Sequence, residues 1–370
     1  MGIEGRAHGQ CQVKFGTGIS ISYPSVGRLG ANQEKFTYKY AEMINISTTY
    51  MGLHLKNPLI VSSSKLTEDL ENIKLCALYG AGAVVLKSIF EEQIRAESEA
   101  HVRKSNEMYY WYPEAKDYVM GLSLEASLEK YLDFVKAVKA SIDIPVIASI
   151  NCTSAVEWTK FAKSIQDAGA DALELNISIF PFNASLKSSE VEDQYLKILV
   201  AVKKEVSIPV SIKLGSYFTN LCSMASQLVE NGAQGLVLFN RFFRPDIDIN
   251  TMQVITDNHF SQPEEQNVPL RWIALLAGKD IGCDLVASTG IHYHTGMIKL
   301  LLAGATAVQV CSTLYINGIP YIETILKNLQ EWMLVHHFNQ ISDFRGKVLQ
   351  DDTTSASFER IQFMKRDFED

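Results

Sequence analysis

The chain has no run of apolar residues long enough to cross a bilayer. It has no CxxC pair, because Cys11, Cys76, Cys152, Cys222, Cys283 and Cys311 stand far apart. That spacing argues against an iron–sulfur cluster or a structural zinc, and no metal is expected. Basic residues number 34 against 42 acidic ones, a net charge of −8, and they form no block. Nucleic acid is therefore not an expected partner. No secretory pattern is visible, so a reducing cytoplasm is the expected compartment. Nor does a Gly-x-Gly-x-x-Gly turn follow the first apolar run, which reads VSSSKL (Val61–Leu66). A doubly wound dinucleotide sheet would need that turn.

What is present is an ordinary globular composition, 47% hydrophobic and 21% charged, in 370 residues. That length suits one large α/β barrel or two ordinary domains. The opening MGIEGR resembles a leader carrying a protease recognition sequence, and the stretch to about Tyr40 lacks periodicity. Residues 1–42 are read as mostly leader and poorly ordered, 43–350 as the folded body, and 351–370 as a polar tail.

From Leu55 onward, apolar runs alternate with amphipathic helical stretches. The runs are Pro58–Ser63, Ala83–Lys87, Pro145–Asn151, Ala172–Asn176, Pro209–Lys213, Gly235–Phe239, Asp284–Ala287 and Ala307–Cys311. Short apolar runs bounded by turn signals read as strands buried on both faces. DAGAD, ENGAQ and LAGAT each place a helix-ending glycine before the next strand. A first helix is expected over Thr67–Tyr79, capped by Thr67, and another over Leu124–Ile142. Between them Glu91–Met120, with its MYYWYP (Met108–Pro113), is too long for a simple connector and is expected to form a flap. Eight strand–helix units predict a single (β/α)8 TIM barrel, whose active face lies at the carboxyl ends of the strands.

Polar groups gather at those ends. Lys87 and Lys213 each close an apolar run. A cation there is expensive in a core and suits a ligand. It could stabilise a reduced flavin anion or a substrate carboxylate, or snorkel to solvent. Asn176 and Asn240 end the fourth and sixth strands. Amides there suit a ring with alternating C=O and N–H groups, and they also form ordinary turns. After the last two strands, VASTGIHYHTG (Val286–Gly296) and QVCSTLY (Gln309–Tyr315) pass through small polar turns into helices. In α/β barrels those turns commonly hold phosphate.

The pieces MGLHLKNPLIVSSS, GAGAVVLKSIFEEQI, ELNIS, PVSIKL, GLVLFNRFFRPDID, STGI and GATAVQVCSTLY occur in that order. Together they resemble the dihydroorotate dehydrogenase superfamily of FMN barrels, most of all its soluble branch. They are also similar to the flavin barrel of dihydropyrimidine dehydrogenase. The resemblance implies that Ser62, Ser63, Ser64, Lys87, Ser88, Asn151, Asn176 and Lys213 contact FMN. It implies phosphate binding at Thr289, Gly290, Cys311 and Ser312. Lys87, Asn176 and Asn240 would hold the substrate ring, and Lys87 and Lys213 would carry the catalytic charges. A homo-oligomer is implied as well.

The departures are specific. Where active members of the family place a Cys or Ser base, this chain has Ile179, which cannot accept a proton. Ser178 and Cys152 are the nearby alternatives. An asparagine expected in the loop after the second strand has no clear counterpart in Tyr109–Gly121, and Thr289 replaces the first glycine of a Gly-Gly turn. The resulting expectation is an FMN-dependent oxidoreductase that converts a dihydropyrimidine, such as dihydroorotate, to its oxidised form. A soluble acceptor, fumarate or a nicotinamide, would reoxidise it. Two alternatives stand beside it. One is a flavin oxidoreductase for another unsaturated or carboxylated compound, its pocket shaped by Ile179, the flap and Arg241–Arg244. The other is a flavin-binding, non-catalytic paralogue.

Overall fold

Alternating apolar runs become parallel strands because each carries enough side-chain surface to be buried on both faces. The computed structural model describes residues 10–14, 20–24, 44–90, 113–151, 155–179, 182–242, 245–256, 260–349 and 358. The chain divides into two units, Met1–Asn45 and Ile46–Asp370. In the first, β1 (Gln10–Lys14) pairs antiparallel with β2 (Ser20–Pro24). Cys152 and residues 91–112 of the expected flap lie outside the described residues.

The second unit opens with a hairpin, β3 (Thr48–Tyr50) and β4 (Leu53–Leu55). Its two-residue turn, Met51-Gly52, has positive φ at both positions, 52° and 80°. Mirror-image turns of that kind match the twist of paired strands. The barrel strands follow: β5 (Leu59–Val61), β6 (Ala83–Val85) with its short continuation β7 (Ile89–Phe90), β8 (Val146–Asn151), β9 (Ala172–Asn176), β10 (Val210–Leu214) and β11 (Gly235–Leu238). A second hairpin, β12 (Pro245–Asp248) and β13 (Gln253–Thr256), precedes the last two barrel strands, β14 (Asp284–Ser288) and β15 (Ala307–Val310). Neighbouring barrel strands are parallel, and β15 pairs with β5 while β6 pairs with β8, so the sheet closes on itself. This is the expected (β/α)8 barrel.

Helices fill the connections: α1 (Leu70–Leu78), α2 (Pro113–Lys139), α3 (Ala155–Asp167), α4 (Ser188–Glu205), α5 (Leu221–Glu230), α6 (Asn267–Gly278), α7 (His294–Leu302), α8 (Ser312–Asn317) and α9 (Tyr321–Val335). Two boundaries differ from expectation. Asp69, not Thr67, caps α1, its side chain accepting from the Asn72 N–H at 2.9 Å. Ser64 caps a separate 3₁₀ turn, Lys65–Glu68. Helix α2 begins at Pro113 rather than Leu124; proline presets φ for a first turn, so the polar stretch before the apolar stripe is already helical. Among the described residues no helix is long and apolar enough to cross a membrane.

The barrel interior is layered. Tyr50, Met51 and Leu55 of the first hairpin pack against Ile60, Ala83, Val85, Ile147, Ala172, Val237, Val286 and Ala307. That apolar floor closes the amino-terminal end. The hairpin is tied down by Asp284, which accepts from the Met51 N–H at 2.7 Å and the Thr306 hydroxyl at 2.9 Å. Asp284→Ala is expected to leave both donors without this acceptor, at about 2–4 kcal/mol. A lowered urea midpoint with unchanged slope would report it; an unchanged midpoint would show that the floor does not depend on this anchor.

Candidate active site

Side chains alternate faces along a strand, so residues two positions past the floor layer point into the same interior. Those positions are Ser62, Lys87, Ser149, Glu174, Phe239, Ser288 and Gln309; all but Phe239 are polar and all but Lys87 are buried. The barrel core therefore turns from apolar to polar within one step toward the carboxyl ends. Polar groups survive there because they bond one another.

Lys213 lies at the centre of this layer, only 6% exposed. Its Nζ donates to Gln309 Oε1 at 2.9 Å and to Ser62 Oγ at 3.1 Å. Gln309 turns its amide nitrogen to Glu174 Oε2 at 2.5 Å, and Glu174 Oε1 stands 3.9 Å from the ammonium. A second string runs through hydroxyls. Ser63 and Ser88 are 3.2 Å apart, and Ser88 and Ser149 are 2.7 Å apart.

Above Lys213 opens a cavity of about 220 Å³. Of the residues expected at the cofactor, Ser62, Ser63, Lys213, Thr289, Gly290, Cys311 and Ser312 line it, and Asn240 lines it as well. Asn240 donates to Asn176 Oδ1 at 2.9 Å, which brings together the two amides expected to hold a ring. Thr289 adopts φ 81° and Gly290 φ 79°. Positive φ is unusual for a β-branched residue; the Thr289 hydroxyl donates to the Phe239 carbonyl at 3.2 Å. A Cβ on Gly290 would meet the Gln266 backbone nitrogen, so glycine allows that close approach.

Other expected residues sit differently. Lys87 lies 3.4 Å from Glu68 Oε2, an ion pair on the 3₁₀ turn after β5, and does not line the Lys213 cavity. Ser64 turns its hydroxyl to its own 3₁₀ turn, accepting from the Leu66 N–H at 3.2 Å, and does not line the Lys213 cavity. Asn151 is half-buried and pairs with Phe90 across the strands. Ile179 is half-buried and lines a separate cavity of about 160 Å³ with Tyr195, Tyr217 and Phe218. Ser178 is exposed.

Electrostatics favour a fixed cation over a reactive thiol. Burial pushes the Cys311 thiol up, and the Ser64 hydrogen bond and the Lys213 and Arg241 charges offset this only in part. At the cavity edge Arg241 Nε pairs with Glu265 Oε2 at 3.1 Å, and its Nη2 donates to the Phe260 carbonyl at 3.3 Å. Ser261 donates its backbone N–H to Ser312 Oγ at 3.0 Å, and its hydroxyl is 3.1 Å from His292 Nε2. Burial holds that imidazole below its ordinary range.

Sequence reasoning did not single out Glu174, Gln309, Ser288 or Ser261. The first three were signalled: each is a polar residue at an inward step of an otherwise apolar strand. Ser261 lies on a connector with no such pattern.

Comparison with known proteins gives the same picture for the whole barrel. The dihydroorotate dehydrogenase family model matches residues 45–333. The chain is 27% identical over 316 residues to the dihydroorotate dehydrogenase B (NAD(+)) catalytic subunit of Thermoplasma acidophilum, covering 83% of this chain and 100% of that protein. The corresponding subunit of Thermoplasma volcanium is 28% identical over 317 residues, 83% of this chain and 100% of that protein. A putative dihydroorotate dehydrogenase A (fumarate) of Aeropyrum pernix is 27% identical over 308 residues, 81% and 96% of the two chains. With the eight-stranded barrel and its polar carboxyl-end layer in place, the chain belongs to the dihydroorotate dehydrogenase family.

Proposed function

We propose that this chain is an FMN-dependent oxidoreductase that oxidises a dihydropyrimidine ring, dihydroorotate to orotate. The observation that carries this reading is Lys213, an ammonium buried at the base of a polar cavity and held by two acceptors. A fixed cation in a low-dielectric site stabilises negative charge without reorganisation. Bound FMN would supply the two-electron acceptor for hydride from the substrate carbon. The cavity residues suit it. Thr289, Gly290 and Ser312 offer backbone and hydroxyl donors for a phosphate, Ser62 and Ser63 offer hydroxyls, and Lys213 offers the charge beside the ring. Asn176 and Asn240, bonded to each other, would orient the substrate's carbonyl and N–H edges.

The proton that leaves the neighbouring carbon needs an acceptor, and Ile179 has none. Ile179 favours a second reading, a flavin oxidoreductase for a different unsaturated or carboxylated compound. The relatives' names include NAD(+) and fumarate, so a soluble acceptor is proposed for reoxidation.

Two measurements decide. The purified protein is expected to take up FMN and show a flavin spectrum. Anaerobic mixing with dihydroorotate is then expected to bleach it. Uptake without bleaching at saturating dihydroorotate would remove dihydroorotate as the substrate. A protein that rejects added FMN would remove both.

A further inference from the structure

Glu174 is 1% exposed, inside the barrel, with one oxygen bonded to Gln309 and the other without a hydrogen-bond partner. A buried carboxylate half-satisfied in this way is expensive unless a charge compensates it. The compensating charge is Lys213, 3.9 Å from the unbonded oxygen. The need is mutual. A buried ammonium with no anion beside it sheds its proton, since desolvation disfavours the charged form. Its other partners, Gln309 and Ser62, are neutral.

We infer that Glu174 is a positioning residue that keeps Lys213 an ammonium, so that the cavity holds its positive charge at neutral pH. Gln309 couples the two, its carbonyl facing the ammonium and its amide nitrogen the carboxylate. The charge pair itself stands on the geometry; its consequence for a cofactor rests on the flavin reading given above.

Among the described residues, the groups around the pair leave Glu174 as the compensating anion. Cys311 and Arg241, in the turns after β15 and β11, also act on this site, but Arg241 is paired with Glu265 and the thiol is pushed up by burial. Lys87, after β6, is paired with Glu68. Below, Tyr50 faces Glu174, and burial first, then that carboxylate, raise its phenol well above the ordinary range. The inward residues of β5, β8 and β14 here are serines.

The test is the pH dependence of stability in the full-length protein without added FMN. In Glu174→Gln the Lys213 ammonium stands buried with no anion beside it, a cost present while it holds its proton at low pH and relieved as rising pH lets that proton leave. Glu174→Gln is expected to melt about 5–10 °C below wild type at pH 6, with that gap shrinking by half or more by pH 9. Glu174→Asp keeps the charge, so its gap should stay level across the same range. Should Glu174→Gln not fold, Lys213→Met tests the pair from the other side. It leaves the carboxylate buried with no cation beside it, a cost that grows as rising pH favours the ionised form, so its gap should widen from pH 5 to pH 8.

Gaps that do not move with pH in either variant, or that move equally in Glu174→Asp, would assign Glu174 to packing and overturn the inference. With FMN loaded, sulfite affinity read from flavin absorbance gives the second arm. The Glu174→Gln to wild-type ratio of dissociation constants should rise at least tenfold between pH 6 and pH 9. A level ratio alongside the expected melting behaviour would leave the charge pair standing and remove the placement of Lys213 beside the flavin ring instead.

Discussion

Replacing Lys213 with methionine is expected to slow reduction of bound FMN by dihydroorotate on the order of 10²-fold or more. Methionine is similar in length and fills the same space without charge, so the loss is electrostatic. The ammonium is 6% exposed and fixed by Gln309 Oε1 and Ser62 Oγ. In so dry a setting its field is far less screened than in water. Because the Lys213 ammonium bonds Ser62 and Gln309 rather than Asn176 or Asn240, the amides proposed to grip the substrate remain in place. Single-turnover mixing over a range of dihydroorotate concentrations separates the limiting rate from apparent affinity. The limiting rate should fall while the apparent dissociation constant stays within about threefold. A limiting rate within threefold of wild type would show that the buried charge plays no part in electron transfer to the cofactor.

Gly290→Val is expected to destabilise the protein by about 2–5 kcal/mol and to weaken FMN binding along with it. Two penalties combine. The residue sits at φ 79°, where a side chain is strained, and its Cβ would come within reach of Gln266 backbone atoms, which cannot swing aside as a flexible side chain can. Relief requires moving the Pro263–Gln266 turn. That turn carries Glu265, the partner of Arg241 at the cavity edge. Gly52 supplies an internal comparison. It has φ 80°, nearly the same backbone, but nothing within 4 Å of a built Cβ. Gly52→Val should therefore show the conformational penalty alone, about 1–2 kcal/mol, with FMN affinity unchanged. Urea unfolding and FMN fluorescence titration of the two variants would separate the terms. Equal losses in both would mean that the approach of Gln266 contributes nothing.

Much of this architecture is legible without coordinates. Strand runs such as ALELN and VSIKL and helix stops such as DAGAD are local signals, and they place the barrel's units in order. The helix starts were less legible. Thr67 and Asp69 are both good caps, and only the observed bond to the Asn72 N–H separates them. Both hairpins of the second unit escaped notice, because three- and four-residue strands carry too few alternations to stand out.

Within the site, sequence by itself determined which residue types reach the strand ends: Lys213, Asn176, Asn240, Thr289, Gly290 and Ser312. Period-two alternation and turn chemistry are properties of neighbouring residues, so they can be read along the chain. Tertiary structure alone decided their partners. Lys213 meets Ser62 across 151 positions, and Gln309 meets Glu174 across 135. Lys87, identical in its local signal, turned instead to Glu68. A strand's pattern states which face a side chain takes, but closure of the barrel chooses which charge stands opposite it, and that choice separates a buried cation from one that pairs at the rim.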